Sequence, residues 1–151
     1  MEAGVITSAR SFGAVVDIRG RQTTSRVVIC TDLYNVLDGT YPSPGYRAGY
    51  YMSFPLITKE LSDDCRFAFE AGPGMTAGFV RDAKKDRGVM AGLSGIAAID
   101  LIFKKITISC SAMAILGFHL DYRDSNTGIL ELYHNGLKEA WMPEISIKYR
   151  F

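Results

Sequence analysis

The sequence predicts an all-β protein: an eight-stranded antiparallel up-and-down transmembrane β-barrel formed by residues 1–151 as one domain. Three observations carry that reading. Apolar and small or polar residues alternate with period two over stretches as long as 106–122. Turn-forming residues separate these stretches at regular intervals. The non-apolar face is built mainly from Gly, Ser and Thr with isolated charges, and so lacks the Lys and Glu a water-facing wall carries along whole strands.

Taken in order, the strands read as follows. In the first, Phe12, Ala14, Val16 and Ile18 oppose Ser11, Gly13 and Asp17. Next, Val27, Ile29, Thr31 and Leu33 oppose Arg26, Cys30 and Asp32. Tyr46, Ala48, Tyr50, Met52, Phe54 and Leu56 oppose Arg47, Gly49, Tyr51 and Ser53. In 66–81, Phe67, Phe69, Ala71, Met75, Ala77 and Phe79 oppose Arg66, Glu70, Gly72, Gly74, Thr76 and Gly78. In 89–103, Val89, Ala91, Leu93, Ala97, Ile99, Leu101 and Phe103 oppose Gly92, Ser94 and Asp100. In 106–122 the even positions are apolar and the odd ones include Thr107, Ser109 and Ser111. The short run 128–134 is the seventh strand, and without it the count falls to seven. The last eight residues alternate without a miss, Ile145, Ile147, Tyr149 and Phe151 against Glu144, Ser146, Lys148 and Arg150. This closing strand is expected to pair with the first, near 12–18, because closure leaves no open edge in hydrocarbon. Turns are expected at 19–24, 38–45, 59–64, 82–87, 104–105, 123–127 and at Asn135-Gly136, a pair that tolerates the positive φ of a type I′ hairpin.

Composition narrows the function. Seventeen Lys and Arg against sixteen Asp and Glu give a net charge of +1, without the basic excess of a nucleic-acid binder. The longest uncharged run, 106–120, falls short of the roughly 20 residues of a spanning helix, but a barrel spans with about 9–11 residues per strand. Two His and three Cys, with no ligand spacing among them, predict no metal site and no cofactor. Cys30, Cys65 and Cys110 are expected to stay unpaired, Cys30 inside and Cys110 outside.

The ending Pro143-Glu144-Ile145-Ser146-Ile147-Lys148-Tyr149-Arg150-Phe151 resembles the closing strand of small Gram-negative outer-membrane β-barrel proteins, a porin-like class. Ala71-Gly72-Pro73-Gly74, with Gly78-Phe79-Val80-Arg81-Asp82 and Gly88, is similar to the same class. The resemblance implies localisation in the bacterial outer membrane. It implies contact with the lipid bilayer and lipopolysaccharide, and membership of a larger membrane protein complex as a further partner. It also implies that the barrel assembly machinery reads Tyr149 and Phe151 as an assembly signal. Members of that family carry a signal peptide, whereas Met1-Glu2-Ala3 opens directly into the first strand region. A mature chain with an initiator Met is one reading, and a protein never exported is the other.

Two constellations bear on chemistry. Asp32, Arg47, Arg66, Glu70, Asp100 and Lys148 share the parity opposite the apolar face and are expected to form a charge network filling the lumen. Arg123-Asp124-Ser125-Asn126-Thr127-Gly128-Ile129 resembles a degraded lipid A deacylase motif, with Arg123 where that family has its His base. Ser125 would then lack a neighbouring base, with only His119 or His134 as substitutes, and the same residues also suit a hairpin turn. Tyr41, Tyr46, Tyr122, Tyr133, Trp141, Tyr149 and Phe151 fall near strand ends, as interfacial girdles or as ordinary strand composition. The expected function is a filled barrel that is not an enzyme, acting as a structural or interaction component through its loops or outer wall. The alternatives are a barrel hydrolase and a soluble ligand-binding barrel.

Overall fold

A computed structural model describes residues 1–8, 11–33, 45–81, 87–121, 129–134 and 143–151. Among them the chain is all β and forms a closed barrel of eight antiparallel staves. The strands are β1 (Glu2–Thr7), β2 (Ser11–Arg19), β3 (Thr24–Asp32), β4 (Gly45–Ser62), β5 (Cys65–Arg81), β6 (Arg87–Phe103), β7 (Ile106–Asp121), β8 (Ile129–His134) and β9 (Glu144–Arg150). Neighbours from β1 to β7 pair in sequence order, and β9 joins β7 to β1 to close the ring.

Three features differ from the sequence reading. The closing strand pairs with β1, Thr7 facing Ile145 and Glu2 facing Arg150, and not with 12–18. β1 is only six residues long and shows just Ala3, Val5 and Thr7 outward, too little alternation to register as a strand. The count of eight then holds because β8 and β9 share one stave. β8 pairs with β7 at 116–121 and β9 pairs with β7 at 106–111. The expected turn at 59–64 shrinks to its last two residues, since β4 continues to Ser62 through irregularities at Pro55/Ile57 and Glu60/Ser62. The expected turns at 82–87, 123–127 and 135–136 lie wholly or almost wholly outside the described residues, as does most of 38–45.

The register fixes the barrel's shape. The ladder of facing residues Thr7, Phe12, Thr31, Tyr46, Phe79, Val89 and Leu120 passes from β1 round to β7. Going the other way, Thr7 faces Ile145 and Ile145 faces Cys110, ten residues lower on β7 than Leu120. A ten-residue stagger over eight staves inclines the strands by about 40° and sets a backbone radius of about 8 Å, a lumen that side chains fill.

The turns at 20–23, 63–64 and 104–105, together with β1's start and β9's end, lie at one mouth, the short-turn end. Phe151 N donates to Met1 O at 3.2 Å there, and Arg150 N to Lys105 O at 2.8 Å. Higher in the lumen the Tyr51 ring lies across the bore, fully buried, its hydroxyl 3.1 Å from Thr76 Oγ1 and 3.2 Å from Met113 Sδ. Gly49 makes room for it, because a Cβ there would sit 2.7 Å from Tyr51 Cε2 and Oη. Gly49→Ala is therefore expected to cost about 1–3 kcal/mol by overpacking. Most of that cost should vanish in a Tyr51→Ala background, as read from a double-mutant cycle of denaturant unfolding.

Candidate functional site: the lumen and the outer wall

Strand parity sends alternate side chains into the bore, and near the short-turn end those side chains are charged. Glu2 on β1, Asp17 and Arg19 on β2, Arg26 on β3, Glu70 on β5, Asp100 on β6, and Lys148 with Arg150 on β9 form one cluster of four acids and four bases. Arg26 grips Asp17 through two hydrogen bonds of 2.9 Å, and Lys148 Nζ donates to the same carboxylate at 2.5 Å. Arg19 reaches across the bore. Its guanidinium donates to Glu2 Oε2 at 3.2 Å, to Glu70 Oε1 at 2.6 Å and to Asp100 Oδ2. Thr24 and Ser53 donate to the two Glu70 oxygens at 3.2 and 2.9 Å, and Arg150 Nη2 donates to Glu2 at 2.6 Å.

Above this belt lies an apolar layer that includes Ile6, Val15, Val28, Tyr51, Ile96, Met113 and Ile115. Higher still, Arg47 Nη2 pairs with Glu144 Oε1 at 2.5 Å. Cys30 faces Arg47 across the β3–β4 ladder.

Of the six residues expected to form one network, Glu70, Asp100 and Lys148 meet in the belt. Arg47 points inward but belongs to the separate upper pair, because the Tyr51 layer intervenes. Arg66 is a correction. It keeps the inward parity but lies exposed beyond the rim, beside a pocket of roughly 130 Å³ lined also by Arg19, Arg21 and Glu70. The side chain of Asp32 lies outside the described residues.

Sequence reasoning missed Glu2, Asp17, Arg19, Arg26, Arg150 and Glu144 as network members. The signal for one pair was present: in the hairpin around 20–23, Asp17 and Arg26 face each other directly and share the inward parity. The hydrogen bonds of Arg19 to Glu2, Glu70 and Asp100 carry no local signal, since those partners lie 17, 51 and 81 positions away.

Arg123 and Ser125 lie outside the described residues, as do the side chains of His119 and His134. Among the described residues, no group of three or more His, Cys, Asp or Glu is placed to hold a metal ion. The three cysteines are free, Cys30 buried and Cys110 exposed.

The outer wall is the reverse of the lumen. Among the outward-facing strand residues whose side chains are described, from Ala3 and Val5 on β1 round to Ile145, Ile147 and Tyr149 on β9, the one charge is Lys59, which faces Phe67 near the short-turn end of β4. Leu93 is 68% exposed, Met75 61%, Phe118 58% and Ile147 53%. Tyr149 stacks edge-on against Phe151 at 5.3 Å on this surface.

The class defined by fold and site is thus a closed eight-stave β-barrel with a filled, charged lumen and an apolar exterior. Compared with protein-family profiles, curated proteins and solved structures, the chain matches none.

Asp17 and Asp100 are not equivalent. Asp17→Asn removes the hydrogen-bonded counter-charge of both Arg26 and Lys148, leaving them only the longer approaches to Asp100 at 3.6 and 3.9 Å, and is expected to cost about 3–5 kcal/mol. Asp100→Leu is expected to cost about 1–3 kcal/mol, because Arg19 keeps Glu2 and Glu70. Unfolding in detergent micelles measures both, and equal costs would contradict the pairing described.

Proposed function

We propose that this protein is a small barrel of the Gram-negative outer membrane. It acts as a structural or interaction component through its loops or its outer wall, with lipopolysaccharide or a larger membrane complex as its contact. The observation that carries this reading is the outer wall, where large apolar side chains are exposed all round and the one charge among the described strand side chains is Lys59, near the short-turn end. Monomers in water rarely expose apolar patches larger than a few hundred Å². A wall of this kind suits hydrocarbon, as does a ring whose strands leave no backbone edge where it closes. Strands β4 to β7 have 16 to 18 residues, above the roughly 9–11 needed to span. A soluble ligand-binding barrel needs the opposite arrangement, with an apolar cavity and a charged exterior. Here Tyr51 and the ion-pair belt occupy the bore, so conduction of solutes is not part of the proposal.

In this reading Tyr149 and Phe151 are the outward-facing end that the assembly machinery recognises, and the protein is not a hydrolase. An Arg before Ser125 stays protonated and cannot serve as its base.

Two measurements test the proposal. Purified protein should require detergent to stay in solution and should migrate differently on gels before and after boiling. Detergent-free monomer with no such shift would overturn the membrane reading. Incubation with lipopolysaccharide should release no fatty acid detectable by mass spectrometry. Release that disappears in Ser125→Ala would make the protein an enzyme.

A further inference from the structure

The barrel wall is not equally tall all the way round. On β6 the outward apolar residues run from Val89 to Phe103, fourteen positions apart, and on β5 and β7 they run over twelve, Phe67 to Phe79 and Ile106 to Phe118. Strands inclined at about 40° rise about 2.5 Å per residue, so these bands are about 30–35 Å tall and match the roughly 30 Å of a hydrocarbon core. On β2 the band runs only from Phe12 to Ile18, six positions, or about 15 Å by the same geometry.

Both ends of β2 are closed by tight turns, so the strand cannot lengthen to compensate. At one end Gly20 N donates to Thr23 O at 2.7 Å. At the other, Ser8 N donates to Ser11 O at 2.8 Å, Ser11 N donates to Ser8 Oγ at 3.0 Å, and the two hydroxyls lie 2.9 Å apart. The Ser8 and Ser11 hydroxyls would sit inside the hydrocarbon of a bilayer thick enough for β6. Hydroxyls are costly there, whereas thinning the surrounding bilayer costs little per ångström.

We propose that the β1–β2 side of the barrel locally thins the bilayer, drawing headgroups down to Ser8 and Ser11, while the β5–β7 side leaves it at full thickness. The proposal rests on the membrane reading above, and its partner is lipid: a sector of acyl chains disordered and shortened against one face of a small protein.

Register supplies an internal reference for the test. Val89 lies four strands round the ladder from Phe12, and the ten-in-eight stagger lifts it by five residues. Leu93, four residues lower on β6, therefore stands within one residue of Phe12's height, and both face outward. In a background with Cys30→Ala, Cys65→Ser and Cys110→Ala, single cysteines at Phe12, Ile18 and Leu93 would carry a fluorophore. Each labelled protein would be reconstituted into vesicles of eighteen-carbon phosphatidylcholine holding nitroxides at headgroup or mid-chain depth. Thr7→Cys, which faces Phe12 across the ladder, replaces Phe12→Cys if that variant does not fold.

The expected ratio of headgroup to mid-chain quenching is above one at Phe12 and Ile18 and below one at Leu93. In twelve-carbon vesicles the difference should disappear. Equal ratios at Phe12 and Leu93 would overturn the thinning. A shallow Phe12 with a deep Ile18 would also overturn it, since that pattern means a tilted barrel in an unthinned bilayer. No quenching at Leu93 would instead overturn the membrane reading itself.

Discussion

The ion-pair belt around Arg19, Asp17 and Asp100 is the constraint on which the rest of the lumen depends. A bore with a backbone radius of about 8 Å has little room for solvating water once side chains enter it. A charge facing inward must therefore find its counter-charge on another stave. The belt meets that requirement with four acids and four bases drawn from six of the eight staves. Buried ion pairs contribute modest net stability, but removing one partner is severe. The belt thus acts mainly as a register lock. Slipping any strand by one residue would turn its charge into the apolar wall and strand its partner inside.

The glycines and the belt are two answers to the same narrowness. Where the lumen must hold a large ring, as at Tyr51, the neighbouring inward positions are Gly49 and Gly74, and a Cβ at either would strike the ring. Where it holds long charged chains, the inward neighbours are hydroxyls such as Thr24 and Ser53, small enough to fit and able to donate to Glu70. The frequent Gly, Ser and Thr of the inward parity follow from the volume available to each stave.

The same narrowness separates the interior into storeys. The apolar layer with Tyr51 isolates the Arg47–Glu144 pair from the lower belt. Six residues of one parity therefore do not amount to one network. Parity states which face a residue takes, and only the stagger of the barrel states at what height it enters the bore.

What the sequence determined by itself is the periodic part. Alternation along 66–81, 89–103 and 106–122 set the strands and their two faces, and turn residues at 104–105 and around 20–23 set the hairpins between them. It also marked Glu70, Asp100 and Lys148 as inward and Ile145, Ile147 and Tyr149 as outward. The tertiary structure decided what depends on contacts between distant strands. It made a stave of the six-residue β1, and it let β8 and β9 share another. It left Arg66 beyond the rim while bringing Arg19 to Asp100 across the bore. The reason is physical: alternation is a local property of each strand, whereas partner, height and closure follow from a ten-residue stagger that exists only when all eight staves meet.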